Sequence, residues 1–109
     1  MTHTIIDVCA ADELPAGRRA LAFANGRSIV VFNIGGTLYG IDNSCPHQGA
    51  SLASGPLDGT RLRCPAHGLT FDLTTGRMPG ASGLCVKVLP IRIVGGRVVA
   101  EWPDPATGG

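Results

Sequence analysis

Two short loops constrain this chain more than any other part of it. The first reads Cys45-Pro46-His47-Gln48-Gly49 and the second Cys64-Pro65-Ala66-His67-Gly68. The chain has 4 Cys and 3 His in 109 residues. These loops therefore take half of the thiols and all but one of the imidazoles. Random scatter would rarely pair soft ligands twice. The rest of the sequence reads most simply as a scaffold that presents them.

That scaffold has a strand-and-turn composition. There are 16 Gly and 8 Pro, and the apolar residues fall in short, often β-branched runs. A first strand is expected over Ile5–Cys9, with one helical turn over Ala10–Leu14. Arg19–Ala24 and Ile29–Ile34 flank Asn25-Gly26, the strongest two-residue hairpin signal. Ile29–Ile34 is nearly all apolar, so it should be buried on both faces or lie centrally in a sandwich. Gly35-Gly36 turns the chain back into Leu38–Ile41. These strands should form a meander that stops where the first ligand loop begins.

Residues 43–84 differ in composition and are loop-rich. Arg61-Leu62-Arg63 should be a short strand leading into Cys64, and Thr70-Phe71-Asp72 should lead out of the second loop. Thr74-Thr75-Gly76 is a turn, and Met78–Gly83 is a third loop rich in Pro and Gly. Strands resume over Val86–Val94 and Arg97–Trp102, around Gly95-Gly96. The expectation is an all-β, antiparallel β-sandwich in one domain spanning 1–109. Its base is 1–42 and 85–102, its inserted loop-rich lobe is 43–84, and 103–109 is a flexible tail.

A chain of this length buries roughly 60–70% of its unfolded surface, so it needs neither metal nor disulfide merely to fold. The net charge is +1, with 9 Lys+Arg against 8 Asp+Glu and no charged block. Nucleic-acid and polybasic membrane contacts are therefore unsupported. No apolar run reaches the ~18–20 residues of a spanning helix. The N-terminus lacks the basic and apolar regions of a signal peptide. A cytoplasmic site is the default, and in a reducing compartment metal binding outranks disulfides.

The ligand pattern is Cys-x-His followed by Cys-x-x-His. A structural zinc site is the serious competitor, because Cys₂His₂ is a standard tetrahedral set. Zinc ligand pairs usually have two to four intervening residues, and Cys45 and His47 have one. In an extended loop those side chains share a side but diverge from a single centre. That suits two neighbouring metals better, as in a Rieske-type [2Fe–2S] cluster with two thiolates on one iron and two imidazoles on the other. Cys45 and Cys64 would then serve the buried iron, and His47 and His67 the outer one.

Cys45-Pro46-His47-Gln48-Gly49-Ala50 with Cys64-Pro65-Ala66-His67-Gly68 resembles the ligand signature of Rieske-type ferredoxins. Ser44, Gly55-Pro56-Leu57, Phe71-Asp72 and Thr75-Gly76 fit the same family. The resemblance implies a β-sandwich base with a cluster lobe at one end. It further implies an electron carrier, not an enzyme, of the kind found in ring-hydroxylating dioxygenase systems of aromatic catabolism. Its partners would be a flavoprotein reductase and a terminal oxygenase, docking at the His47/His67 tip, with a monomer as the default. High-potential relatives carry an inter-loop disulfide whose Cys positions would be Ala50 and Ala66 here. Their cluster-directed hydroxyls would fall near Leu69 and Phe71. Fewer donors to sulfur imply a potential near the low end of the Rieske range, roughly −150 mV.

No mononuclear oxygenase iron site can be built from the remaining residues. A Rieske oxygenase needs another iron held by two His and a carboxylate, and only His3 remains. Gly35-Gly36 and Gly95-Gly96 are hairpin turns, not dinucleotide loops. Cys9 and Cys85 read as small buried hydrophobes, Trp102 and Tyr39 as packing residues, and His3 as solvated. Met78-Pro79-Gly80 resembles the family's third, cluster-shielding loop. Gln48 and Leu69 neighbour the His-bearing tips. Two rival readings are the Rieske-like small subunit of an assimilatory nitrite reductase and a zinc-stabilised interaction module.

Overall fold

The computed structural model describes residues 3–24, 27–43, 52–64, 70–78 and 86–103. Among the described residues ten strands run in chain order: β1 (His3–Ala10), β2 (Arg19–Ala24), β3 (Arg27–Ile34), β4 (Thr37–Asp42), β5 (Leu57–Asp58), β6 (Arg61–Arg63), β7 (Thr70–Asp72), β8 (Val88–Leu89), β9 (Ile91–Val94) and β10 (Arg97–Pro103). The expected helical turn is a single 3₁₀ turn at Ala11–Glu13. The Glu13 carboxylate accepts from the Ala10 backbone N–H at 3.0 Å, satisfying a donor at its start.

All strand pairs are antiparallel and form three sheets, ordered β1-β10-β9, β2-β3-β4-β8 and β5-β6-β7. Gly35-Gly36 and Gly95-Gly96 make the expected hairpins, with φ of 63°, 95°, 57° and 79°. Both residues at positive φ give the turn twist that matches the flanking strands. Asn25 and Gly26 lie outside the described residues, but Ala24 pairs with Arg27 on either side of them.

β3 explains the apolar run at its centre. Ile29 packs with Ile6, Ala100 and Trp102, and Val31 with Leu14 and Val98. Val30 and Phe32 point the other way, into a cluster with Leu52, Leu62 and Phe71. All four β3 residues are completely buried. The second sheet is thus covered on one face by the first sheet and on the other by the 52–78 region. A strand buried on both faces loses the usual alternation of polar and apolar residues.

Three expectations need correction. β1 does not join the meander; it pairs with β10, far away in sequence, while β2-β3-β4 form the meander alone. Val86–Val94 is not one strand. Pro90 divides it into β8, which pairs with β4, and β9, which pairs with β10. Proline has no N–H for the ladder, so the chain changes sheets there. The Pro90 carbonyl still accepts from the Glu101 N–H at 3.0 Å. Pro103, assigned to the tail, instead ends β10 opposite His3.

Candidate metal centre

The three loops singled out in the sequence leave and rejoin the fold around one apolar cluster. Its buried members are Val30, Phe32, Ile41, Leu52, Leu62, Cys64, Phe71, Leu73 and Val86. Leu52 follows the first ligand loop, Cys64 starts the second, and Val86 follows the third. Met78, where the third loop starts, packs on the same cluster. Local strand pattern thus becomes a common foundation for three loops that are separate in sequence.

Cys64 is the one candidate ligand among the described residues; Cys45, His47 and His67 lie outside them. It directly follows β6, is fully buried, and carries the only thiol of this cluster among the described residues. Leu62 and Phe71, paired across β6 and β7, are also fully buried. Arg61 and Arg63, on alternate positions of β6, are exposed. This alternation is what turns the chain inward at Cys64. Ala50, Ala66, Leu69, Gln48, Cys85 and residues 79–83 also lie outside the described residues.

The ends of the first loop are tied by a residue that sequence reasoning passed over. Asn43 Oδ1 accepts from the Leu52 N–H at 2.7 Å, while Asn43 Nδ2 donates to Ser28 Oγ at 3.2 Å. The Asn43 N–H also donates to the Ser28 carbonyl at 2.9 Å. One side chain therefore ties together Asn43 and Leu52, the described residues on either side of 44–51, and bonds to Ser28 of β3. An Asn after a strand and before a Pro/Gly loop is the only sequence signal for this role.

A second unanticipated tie is Arg19 on β2. Its Nη1 donates to the carbonyls of Ala53 and Gly55 at 2.8 and 2.6 Å. Its guanidinium lies 4.9 Å from the centroid of Phe32, so the cation also meets an aromatic face. Gly55 is buried, and a Cβ there would collide with the Arg63 carbonyl and crowd Leu62. The Gly55-Pro56-Leu57 stretch thus lets the turn after the first loop press against the backbone just before Cys64. The Arg63 N–H donates to the Pro56 carbonyl at 3.0 Å, locking the two together.

The Phe71-Asp72 and Thr75-Gly76 motifs form one turn. Asp72 Oδ1 accepts from the Thr74 N–H at 2.9 Å, Thr74 Oγ1 at 2.7 Å and Thr60 Oγ1 at 3.4 Å. These bonds, first to the Thr74 hydroxyl and then to its N–H, hold the Asp72 carboxyl below its ordinary pKa of 3.8. The Gly76 N–H donates to the Asp72 carbonyl at 2.6 Å, and the Gly76 carbonyl accepts from the Val86 N–H at 2.7 Å. The turn therefore connects the exit of the second loop with the close of the third.

Other residues sit away from this foundation. Cys9 is only half-buried, packed against the Leu14, Val31 and Val98 cluster, and the β1–β10 register shifts between Asp7 and Cys9. Burial, and then the nearby Glu13 carboxylate, push its thiol pKa up. Trp102 is buried and Tyr39 half-buried, as expected of packing residues.

Comparison with known proteins decides the family. Rieske [2Fe–2S] domains match residues 4–90 of this chain. The chain belongs to that family. A Rieske-type [2Fe–2S] cluster is accordingly its cofactor. The ferredoxin component of the naphthalene 1,2-dioxygenase system of Pseudomonas aeruginosa is 33% identical over 93% of this chain and 98% of its own. The ferredoxin of Sphingomonas yanoikuyae B1 superposes with a TM-score of 0.78 at 28% identity, covering 92% of this chain and 100% of that one. A chain from a complex of reduced oxygenase and oxidised ferredoxin in carbazole 1,9a-dioxygenase gives 0.76 at 31% identity, covering 88% and 91%. The NADH-dependent nitrite reductase small subunit of Mycobacterium tuberculosis has a TM-score of 0.79 at 23% identity, over 93% and 96%; it shares the fold.

The residues of this Rieske domain fit the group. A thiol excluded from water at the centre of an apolar cluster suits the inner iron of such a site, where thiolate ligation and low dielectric go together. Two Cys and two His complete a donor set of the right composition. Among the described residues no helix is long and apolar enough to cross a membrane.

Proposed function

We propose that this Rieske protein is an electron-transfer ferredoxin, carrying one electron from a flavoprotein reductase to a terminal ring-hydroxylating oxygenase. The observation that carries this reading is the seating of Cys64. It is a buried thiol in the apolar cluster from which all three loops spring. The likeness to ferredoxin components, over nearly the whole chain, supports the same role.

In this reading Cys45 and Cys64 hold one iron, and His47 and His67 hold the other. When bound, the cluster supplies a one-electron couple without bond making at a substrate. The chain's own residues set its surroundings. Leu52, Leu62 and Phe71 exclude water from the Cys64 side. Asn43 and Arg19 fix the Leu52–Gly55 turn, which follows the first loop, to the base sheet. The His47 and His67 loops contain no charged residue, so the docking tip is largely neutral.

Stopped-flow spectroscopy tests the role. The oxidised protein should be bleached by a flavoprotein ferredoxin reductase with NADH, and the reduced protein should be reoxidised by a terminal ring-hydroxylating oxygenase. Exchange of electrons with neither partner would contradict it.

A further inference from the structure

β2 ends the second sheet, with β3 as its one neighbour there among the described residues. It is 6 residues long, and its register with β3 runs without a shift. Ala20 and Ala22 pack inward on the apolar clusters, so Arg19, Leu21 and Phe23 share the opposite face. Leu21 is 46% and Phe23 69% exposed. The Asn33 N–H donates to the Arg18 carbonyl, so bonding positions along this pair fall at Arg18, Ala20, Ala22 and Ala24. Arg19, Leu21 and Phe23 therefore turn their N–H and C=O groups to the free edge. Among the described residues none of these backbone groups has a partner.

Soluble proteins guard such edges with charges, bulges, prolines or very short strands. The other sheet edges among the described residues follow that rule. β1 shifts register between Asp7 and Cys9 and carries the Asp7–Arg97 ion pair. β5 and β8 have 2 residues each, and β7 has 3 and ends in Asp72. β9 carries Arg92, paired with Glu101. β2 has no such guard. Its one charge, Arg19, is turned onto the carbonyls of Ala53 and Gly55.

We infer that the free edge of β2 pairs antiparallel with the same edge of a second copy of this chain, with Leu21 on the two-fold axis. A second copy is the fitting occupant because the edge is complementary to itself. With Leu21 opposite Leu21 of the second copy, Arg19 faces Phe23 of the other chain, and every outward N–H meets an outward C=O. Leu21 and Phe23 of both chains then join into one apolar strip, and no like charges are opposed. Centring the pair on Arg19 would oppose two cations, and centring it on Phe23 would leave Arg19 outside the ladder. With 6 residues a side against the roughly 20–30 of a standard interface, the dimer is a reversible one. It departs from the monomer expected by default and stands independently of the electron-transfer reading.

Sedimentation velocity on the purified, cluster-loaded protein tests this, from low micromolar to near-millimolar chain at fixed ionic strength. The wild type should pass from monomer to dimer as concentration rises. L21K and L21E each set like charges opposite one another, and each should weaken the dimer at least about tenfold. Mixed in equal amounts the two variants should dimerise again, because opposite charges then face each other; that recovery also shows that both are folded. A wild type that stays monomeric throughout, as it would if the edge served a different protein, would overturn the inference. So would L21K and L21E as dimeric as the wild type, or a mixture no more dimeric than its two components.

Discussion

The Arg19 guanidinium of β2 reaches the Gly55 carbonyl at 2.6 Å, bridging the base sheet to the turn that lies against the backbone before Cys64. It donates to Ala53 from the same nitrogen and rests on Phe32. Removing it should release that turn. R19A is expected to cost about 2 kcal/mol, from charged hydrogen bonds and the cation–π contact together. R19K, a point donor without the planar fork, should recover only part. Denaturant titration of the three proteins checks this; R19A within experimental error of wild type would remove Arg19 from the account.

Asn43 should matter through its acceptor. Leu52 is fully buried, so losing Asn43 Oδ1 leaves a buried N–H without that partner. N43A should cost about 1–3 kcal/mol and speed loss of the visible chromophore. N43D keeps the acceptor oxygen and should be milder. The order of chromophore half-lives, wild type then N43D then N43A, is the measurement.

Gly55→Ala tests the close approach between the two loops. The new methyl would meet the Arg63 carbonyl, which is backbone and cannot swing aside. The expected cost is about 2–3 kcal/mol from overpacking. A G55A protein with unchanged stability and spectrum would show that the turn can shift freely.

Acid should loosen the Asp72 turn. Its folded pKa is depressed below 3.8, so its contribution is fully present above the unfolded value and is lost as pH falls through the folded one. The folded protein should therefore lose stability as pH drops below 3.8. D72N, which keeps an acceptor oxygen but no charge, should flatten this acid limb. Unfolding free energies at stepped pH for both proteins decide the point; parallel curves would contradict it.

Much of the base could be read from local signals, and the reasons are physical. Gly35-Gly36 and Gly95-Gly96 specify tight turns because positive φ is costly for other residues. The apolar run at Ile29–Phe32 called for a strand buried on both faces or central in a sandwich, and it is buried on both. What escaped the sequence was long-range. β1 pairs with β10 because both flank the same core at opposite ends of the chain, and no local pattern encodes that partner. The break at Pro90 was missed inside Val86–Val94, and its use as a crossing between sheets depends on β4 and β10 both being in place. In the proposed site, the Cys and His residues stand out in the sequence by type and spacing. Asn43 and Arg19 did not, since their roles lie in backbone groups they reach across the fold.

The ligand assignment is the central claim, and iron and labile-sulfide analysis tests it most directly. The purified protein should be red-brown and hold two irons and two sulfides per chain, as a [2Fe–2S] cluster requires. Cys45→Ser, Cys64→Ser, His47→Ala and His67→Ala should each lose the cluster, while Cys9→Ser keeps it. A colourless protein with one zinc per chain, or full iron and sulfide retained in any of those four variants, would contradict the assignment.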